Sequence, residues 1–507
     1  MAPGAMEDRS DNMDEVTTSR RGCFPYGFRR ESRALFRLAW PTSLSILFHY
    51  MIQPISIAFC GHLGTEQLAG VAMAMSIIYI TCVSIGRGLA FGADTFFSQT
   101  YGSTNKKKVG VYLQRGIIFG MFACCPIWAV LLNVESILLL LGQDPGVVAL
   151  AQEYILFFLP GVLAYCWLFI LMRYLLCQNR VLPNLAVCVV SCAINAVLHY
   201  GLVVQAQMGI RGSAIALAIT YYLVLAQLLA YIWGSGVYVE TWDGWKWENL
   251  KEWGQFARVT CASIGMTFIF WLCTEAGTFL SGILGKKELS AYSITFQVEG
   301  FVWMIPLGLG GACTARVGQF LGANQPVAAL TSCRVTVTIQ MALSAGMAVT
   351  AYVLRTYIPM AFSTDSELVS YTAGLLQVVA VFVLLEGIGG VGVGIVRGTG
   401  RQTLGAVIIF VSYYAVALPV GISLMFATSL GLYGLWWGYV LGLALQDVCL
   451  LVFMARLDWD KEAEKVRITK AQMSLCSECG SLHHTTALSF DLTKESPFQR
   501  NTHSILI

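Results

Sequence analysis

The tetrapeptide Gly61-His62-Leu63-Gly64, with Leu68 after it, returns in the second half of the chain as Gly282-Ile283-Leu284-Gly285, with Leu289 after it. Gly61 and Gly282 stand 221 apart, and Gly102 and Gly322 stand 220 apart. Gly209-Ile210-Arg211-Gly212 returns as Gly431-Leu432-Tyr433-Gly434 at 222. Each match is short, and glycine is common in loops. One displacement shared across roughly 150 residues is much harder to obtain by chance. The chain reads as a duplication, two copies of one unit.

Composition says what the unit is. Of the 507 residues, 56% are hydrophobic and 12% charged, where soluble domains carry roughly 25% charged residues. That is too little charge to cover a soluble surface and too much apolar surface for a disordered chain. A net charge of +3 is too small to argue for a nucleic-acid partner. Twelve apolar stretches have the length of about 20 residues that spans a bilayer as a helix. They centre near Phe48, Ile78, Met121, Ala164, Ile194, Leu217, Phe270, Phe301, Leu343, Gly387, Tyr414 and Leu443. The roughly 10-residue alternating segments of a membrane β-barrel are absent. The sequence therefore predicts an all-α polytopic membrane protein with twelve transmembrane helices in two six-helix bundles. Six is even, so both bundles enter the membrane with one polarity. A pseudo-two-fold axis along the membrane normal should relate them around a central cavity.

The expected divisions are a cytoplasmic tail (1–34), an N-lobe of six spans (35–233), a cytoplasmic linker (234–255), a C-lobe of six spans (256–455) and a mostly disordered cytoplasmic tail (456–507). Lys and Arg favour cytoplasmic loops. With the amino terminus inside, thirteen fall in internal loops, Arg115, Arg173, Arg316 and Arg397 among them, against Arg211, Lys286, Lys287 and Arg355 outside. Trp242, Trp245, Trp247 and Trp253 suit the linker to a helix at the lipid interface. The stretch before Leu35 is polar and charged, so no secretory signal is expected. Sixteen cysteines fall mostly within spans, as small apolar residues rather than a disulfide framework. Cys476, Cys479, His483 and His484 have a zinc-like spacing without a second ligand segment, and no metal is expected. No phosphate-binding loop and no nucleophile–base constellation occurs, so neither ATP drive nor an enzyme is expected.

A charged side chain at mid-bilayer costs about 2.5–3.5 kcal/mol on insertion scales, so intramembrane acids are functional candidates. Glu275, Glu299, Glu386 and Asp447 all fall in spans of the second half. A carboxyl out of water holds a proton more readily, which suits an acid that must load and unload one. Trp271 precedes Glu275 by four residues, on the same helix face. An aromatic plane beside a carboxylate is a receptor for an organic cation. Glu386 heads a run containing Gly387, Gly389, Gly390, Gly392 and Gly394, which lets helices approach closely or bend. Gln297 and Glu299 point to nearly opposite faces, so only one should face the cavity easily. Asp447, near the last cytoplasmic turn, is expected to snorkel. Arg87 could line the cavity, pair with Asp94 or reach the headgroups. Phe270 and Trp303 join the candidate lining. Pro41, Pro54, Pro126, Pro160, Pro306 and Pro419 offer bending points within spans.

Four segments carry a family resemblance: Phe59-Cys60-Gly61-His62-Leu63-Gly64; Asp94-Thr95 with Ser98-Gln99-Thr100-Tyr101-Gly102; Phe279-Leu280-Ser281-Gly282-Ile283-Leu284-Gly285; and Arg397-Gly398-Thr399-Gly400. Together they resemble the multidrug and toxic compound extrusion (MATE) family, in its vertebrate multidrug and toxin extrusion branch, from about Leu35 to Arg456. The resemblance implies two lobes around a V-shaped cavity and export of organic cations in exchange for protons, or for sodium in some bacterial members. Membrane carboxylates of the second lobe are expected to carry the exchange. Glu275 and Glu386 match family glutamates of the seventh and tenth spans. Phe270 and Gln297 stand where relatives carry two further glutamates, and Arg87 stands where close relatives look apolar.

The expectation is a monomeric, cofactor-free exporter of small organic cations, driven by a proton gradient through alternating access. It should sit in the plasma membrane, among lipids, with both termini cytoplasmic. One alternative is a carrier of neutral or anionic compounds that uses Arg87 and the aromatic wall, with altered or absent proton coupling. Another is a non-transporting scaffold acting through its tail.

Overall fold

The computed structural model describes residues 27–245, 253–363 and 365–468. Every regular element among these is helical, as lipid demands by leaving a free backbone group no partner. Eleven helices are each long and apolar enough to span a membrane, and a bent pair brings the number to twelve. In chain order they are α1 (Phe28–Gly61), α2 (Glu66–Tyr101), α3 (Lys108–Leu132), α4 (Pro145–Phe158 continued by Gly161–Cys177), α5 (Leu182–Gln205), α6 (Gly209–Gly234), α7 (Trp253–Leu284), α8 (Lys286–Gly322), α9 (Pro326–Val353), α10 (Ser366–Thr399), α11 (Gln402–Ala427) and α12 (Leu432–Arg456). The sequence predicts α4 as one span, but it bends by 58° at residues 159–160, where Pro160 has no amide hydrogen to donate. Pro41, Pro54, Pro126 and Pro306 lie inside continuous helices, and Pro419 follows a π-helical segment, Val411–Ala417.

The duplication is also a backbone fact. Gly64 and Gly285 precede α2 and α8 with φ of 139° and 154°, values that favour glycine strongly. Asp144 and Asp365, also 221 apart, cap α4 and α10: the N–H groups of Gly146 and Val147 donate to Asp144, and that of Glu367 to Asp365.

Helices α1–α6 and α7–α12 form the two bundles, which meet where α2 packs on α7 and α8 and where α1 packs on α8. At the end holding the start of α1 and the end of α12, the lobes are closed. Thr95 Oγ1 donates to the Arg397 carbonyl at 2.6 Å, and Gln99 Nε2 to the Gly398 carbonyl at 3.0 Å. Here α2 faces its own repeat: Ser98 lies against Gly318, its counterpart in the second copy, and Gly102 against Gln319. A Cβ on Gly102 would stand 2.6 Å from the Gln319 Cα and 2.7 Å from its carbonyl carbon, so the contact admits only glycine. Toward the other end the lobes part around a cavity.

Several expectations about loops and tails are corrected. Arg115, Arg173 and Arg397, assigned to internal loops, lie buried within α3, α4 and α10. Arg316 lies within α8 and pairs with Glu31 of α1 at 2.5 Å. Loop counting assigns arginine to water because a bare cation is costly in lipid; protein partners remove that reason here. Helix α1 already starts at Phe28, inside the expected tail. The interfacial helix expected in the linker falls largely on residues 246–252, outside the described residues; the described part of the linker holds a 3₁₀ turn, Val237–Glu240. It folds onto α3, with the Gly110 N–H donating to the Thr241 carbonyl at 2.7 Å and Lys107 pairing with Asp243 at 2.8 Å. Trp247 lies outside the described residues. Within the tail, residues 459–468 form a helix that buries Trp459, Ala463 and Val466 and pairs Glu462 with Arg401; residues 469–507 lie outside the described residues. Cys476, Cys479, His483 and His484 lie outside the described residues. The described cysteines are free thiols, most of them buried.

Candidate functional site

Two chambers lie between the lobes, divided by an aromatic wall of Phe270, Trp271 and Trp303, which line both. Phe270 stacks on Trp303 at 5.9 Å and meets Tyr413 edge-on at 5.7 Å. It is a structural member of the wall, in a position where a glutamate would face the chambers. Trp271 stacks on Tyr79 of α2 at 5.1 Å, which closes the wall across the two lobes. Tyr79 and Tyr413 both sit in π-helical segments, Tyr79–Val83 of α2 and Val411–Ala417 of α11. Such segments change where a helix aims its side chains and gather at functional sites.

The outer chamber spans about 950 Å³ of space between the lobes, with the open solvent at its mouth counted in. Tyr50, Glu275, Gln297 and Glu299 are among its polar groups. Glu275 is buried within hydrogen-bonding reach of Ser76 of α2, and Gln297 Nε2 donates to Tyr50 Oη at 3.2 Å. Both contacts cross between the lobes. Trp271 and Glu275 share this chamber, as their spacing predicts. The Trp271 ring, however, is already engaged by Tyr79, and the Arg87 guanidinium carbon lies 5.9 Å from its centroid. The aromatic face expected to receive an outside cation is occupied by the protein's own groups. Gln297 and Glu299 both reach the chamber, contrary to expectation, because it wraps around α8. Gln297 turns toward α1, and Glu299 turns toward α10.

Inside the C-lobe, Glu299 and Glu386 meet carboxyl to carboxyl. Two carboxylates in contact repel, and one shared proton converts the repulsion into a hydrogen bond. Asp447 does not snorkel. It is only 4% exposed, and its Oδ1 lies 3.1 Å from where a Cβ of Gly389 would stand, so the bare backbone of α10 gives it room. Both carboxylate oxygens of Glu386 and of Asp447, together with the Oε1 atoms of Gln340 and Gln446, are buried with no hydrogen-bond donor. Every one of these atoms is an acceptor.

The inner chamber lies beyond the wall, a narrow space of about 680 Å³ only when open solvent is counted in, with Arg87, Glu386, Arg397 and Gln446 among its polar lining. Of the three places open to Arg87, the structure selects the cavity. Its guanidinium carbon lies 5.4 Å from the Phe169 ring, in addition to the Trp271 contact. Cation–π contacts of this kind contribute about 0.5–2 kcal/mol each. Asp94 instead pairs with Arg173 at 3.5 Å and lines neither chamber. Arg397 stacks 3.5 Å over Phe91, whose ring also meets Arg173 at 4.8 Å. Asp94, a binding candidate from the sequence, is thus placed as a counter-ion holding the closed end. Removing one partner of a buried ion pair costs about 3–5 kcal/mol. Asp94→Ala should therefore lower the unfolding temperature in detergent by several degrees, and an unchanged Tm would refute this role.

Sequence reasoning missed Arg173, Arg397, Tyr79 and Tyr413. An arginine near a span end reads as a residue that reaches the headgroups, and a π-helical segment leaves no mark on apolar periodicity.

The MatE family profile matches the chain twice, over residues 41–201 and 262–422, segments of equal length whose starts repeat the displacement between Gly61 and Gly282. The chain belongs to the MatE family. Multidrug and toxin extrusion protein 1 of Mus musculus is 39% identical over 442 residues, covering 87% of this chain and 78% of that protein. The Homo sapiens protein of the same name is 39% identical over 441 residues, covering 87% and 77%. The crystal structure of the eukaryotic MATE transporter AtDTX14 superposes with a TM-score of 0.84 at 29% identity, covering 87% of this chain and 99% of that one. A variant of the Vibrio cholerae MATE transporter VcmN shares the fold with a TM-score of 0.77 at 19% identity. This MATE chain is a multi-pass membrane transporter and not an enzyme.

Proposed function

We propose that this MATE chain exports amphipathic organic compounds in exchange for protons, by alternating access between its lobes. The observation that carries the reading is the buried cluster of Glu299, Glu386 and Asp447, in which the Glu386 and Asp447 oxygens lack donors. Buried polar groups are normally satisfied, and an acceptor-only cluster is satisfied by protons. Glu299 links it to the outer chamber that also holds Glu275. Cargo with a cationic group would lie in that chamber, near Glu275 and Glu299. One carboxyl cannot serve a proton and a cation at once, so loading one releases the other.

One chain holds both lobes, which supports a carrier that works as a monomer. The exposed Arg29, Arg30, Arg33 and Arg37 at the closed end support a cytoplasmic placing of that end. The test is purified protein in proteoliposomes. An inward proton gradient should drive tetraethylammonium the opposite way, a protonophore should abolish the drive, and a sodium gradient should not replace it. Tetraethylammonium flux indifferent to the proton gradient would refute the coupling.

A further inference from the structure

The geometry points to Arg87 as the receptor for an anionic group of the cargo, so that this transporter accepts aromatic zwitterions and organic anions. The inference deepens the export reading above and rests on the chambers described there. Arg87 is 7% exposed, lines the inner chamber and has a buried Nε with no acceptor. No carboxylate forms an ion pair with it among the described residues; its neighbour Tyr165 brings a hydroxyl rather than a counter-charge. Arg397, across the same chamber, also has an unpartnered Nε. Asp94, whose charge also reaches Arg397, already pairs with Arg173. Glu386, the chamber's own acid, is engaged with Glu299.

Arg173 and Arg397 thus share one aspartate, and Arg87 has no carboxylate partner among the described residues. A desolvated cation is costly unless a hydrogen-bonded counter-charge reaches it. Aromatic contacts with Phe169 and Trp271 supply only part of that. A guanidinium presents a planar fork that matches carboxylate and sulfonate oxygens. The wall of Phe270, Trp271 and Trp303 would take the aromatic body of such a ligand. The arrangement is polarised, with Glu275 and Glu299 in the outer chamber and Arg87 and Arg397 in the inner one, whose acid Glu386 is engaged with Glu299. A zwitterion lying across the wall meets both.

The test uses the fluorescent sulfonate dansylate and the cation tetraethylammonium as probes on the full chain in proteoliposomes. Wild-type protein should transport dansylate, and inorganic sulfate or phosphate at equal concentration should not compete. Arg87→Gln should lower the ratio of dansylate to tetraethylammonium flux by about tenfold or more, the loss expected for one charge-assisted hydrogen bond. Arg87→Lys should fall between the two. If Arg87→Gln fails to fold, the wild type still decides, since dansylate should raise its unfolding temperature where sulfate does not. Absence of dansylate flux and of any thermal shift in the wild type would overturn the proposal. So would full competition by inorganic sulfate, or an unchanged flux ratio in a folded Arg87→Gln. Dansylate flux that ignores the proton gradient would remove the coupling reading and leave this one standing. Gradient-driven tetraethylammonium flux without dansylate flux would do the reverse.

Discussion

Glu386→Gln is expected to leave a folded protein whose flux no longer responds to a proton gradient. Glutamine keeps the volume of the side chain and brings an amide donor to a place where Asp447 and Glu386 itself present only acceptors. The unfolding temperature should therefore hold or rise. Coupling should collapse, because the amide cannot bind and release a proton. Couplings between sites typically amount to about 1–3 kcal/mol, so the gradient-driven component should fall roughly 5–150-fold. The pairing with Glu299 adds a sharper expectation: Glu299→Gln should produce the same loss, and the double variant should be no worse than either single one, since one shared proton can be lost only once. Flux in proteoliposomes with and without an imposed gradient measures all three. Full gradient stimulation in Glu386→Gln would remove the C-lobe acids from the coupling.

The second large effect belongs to the closed end. Gly102→Val should abolish transport while sparing the fold, because its added Cβ meets the Gln319 backbone, which cannot rotate away as a side chain would. Overpacking costs about 1–3 kcal/mol. Charged against the closed arrangement alone, that cost would shift the equilibrium between closed and open roughly 5–150-fold. Hydrogen exchange over residues 95–102 and 314–322 should rise accordingly. Gly346, which has open space where a Cβ would stand, supplies the control: Gly346→Val should transport normally. Normal flux in Gly102→Val would show that this contact does not govern opening.

Much of the architecture is legible without coordinates. Apolar stretches and a fixed displacement between loop glycines carry the spans and the duplication, since both are one-dimensional consequences of a lipid solvent and a repeated unit. Glu275, Glu299 and Glu386 can be picked out for a related reason: an acid in an apolar stretch is costly wherever it points. What pairs with what cannot be read. Asp94 lies about two turns from Arg87 on one helix, yet its partner is Arg173 of α4, 79 residues away. Asp447 reads as a residue that reaches for water, because the missing side chain of Gly389 that accommodates it lies on another helix. Arg397 sits in the family-like segment Arg397-Gly398-Thr399-Gly400, but only packing shows its guanidinium in the inner chamber. Contacts between helices depend on crossing geometry, on which hydropathy is silent.

The short helix over 459–468 has a mechanical meaning. Its Glu462 grips Arg401 of the C-lobe, while Glu462, Lys465 and Val466 share a crevice with Thr95 and Gln99 of the N-lobe. One peptide is therefore fastened to the C-lobe and borders the N-lobe at the place where the proposed alternating access would part them. On that proposal each opening stroke would widen the crevice beside it, and each return would close it again. A tag or truncation following Arg456 would accordingly reset the turnover rate without disturbing any group that touches cargo.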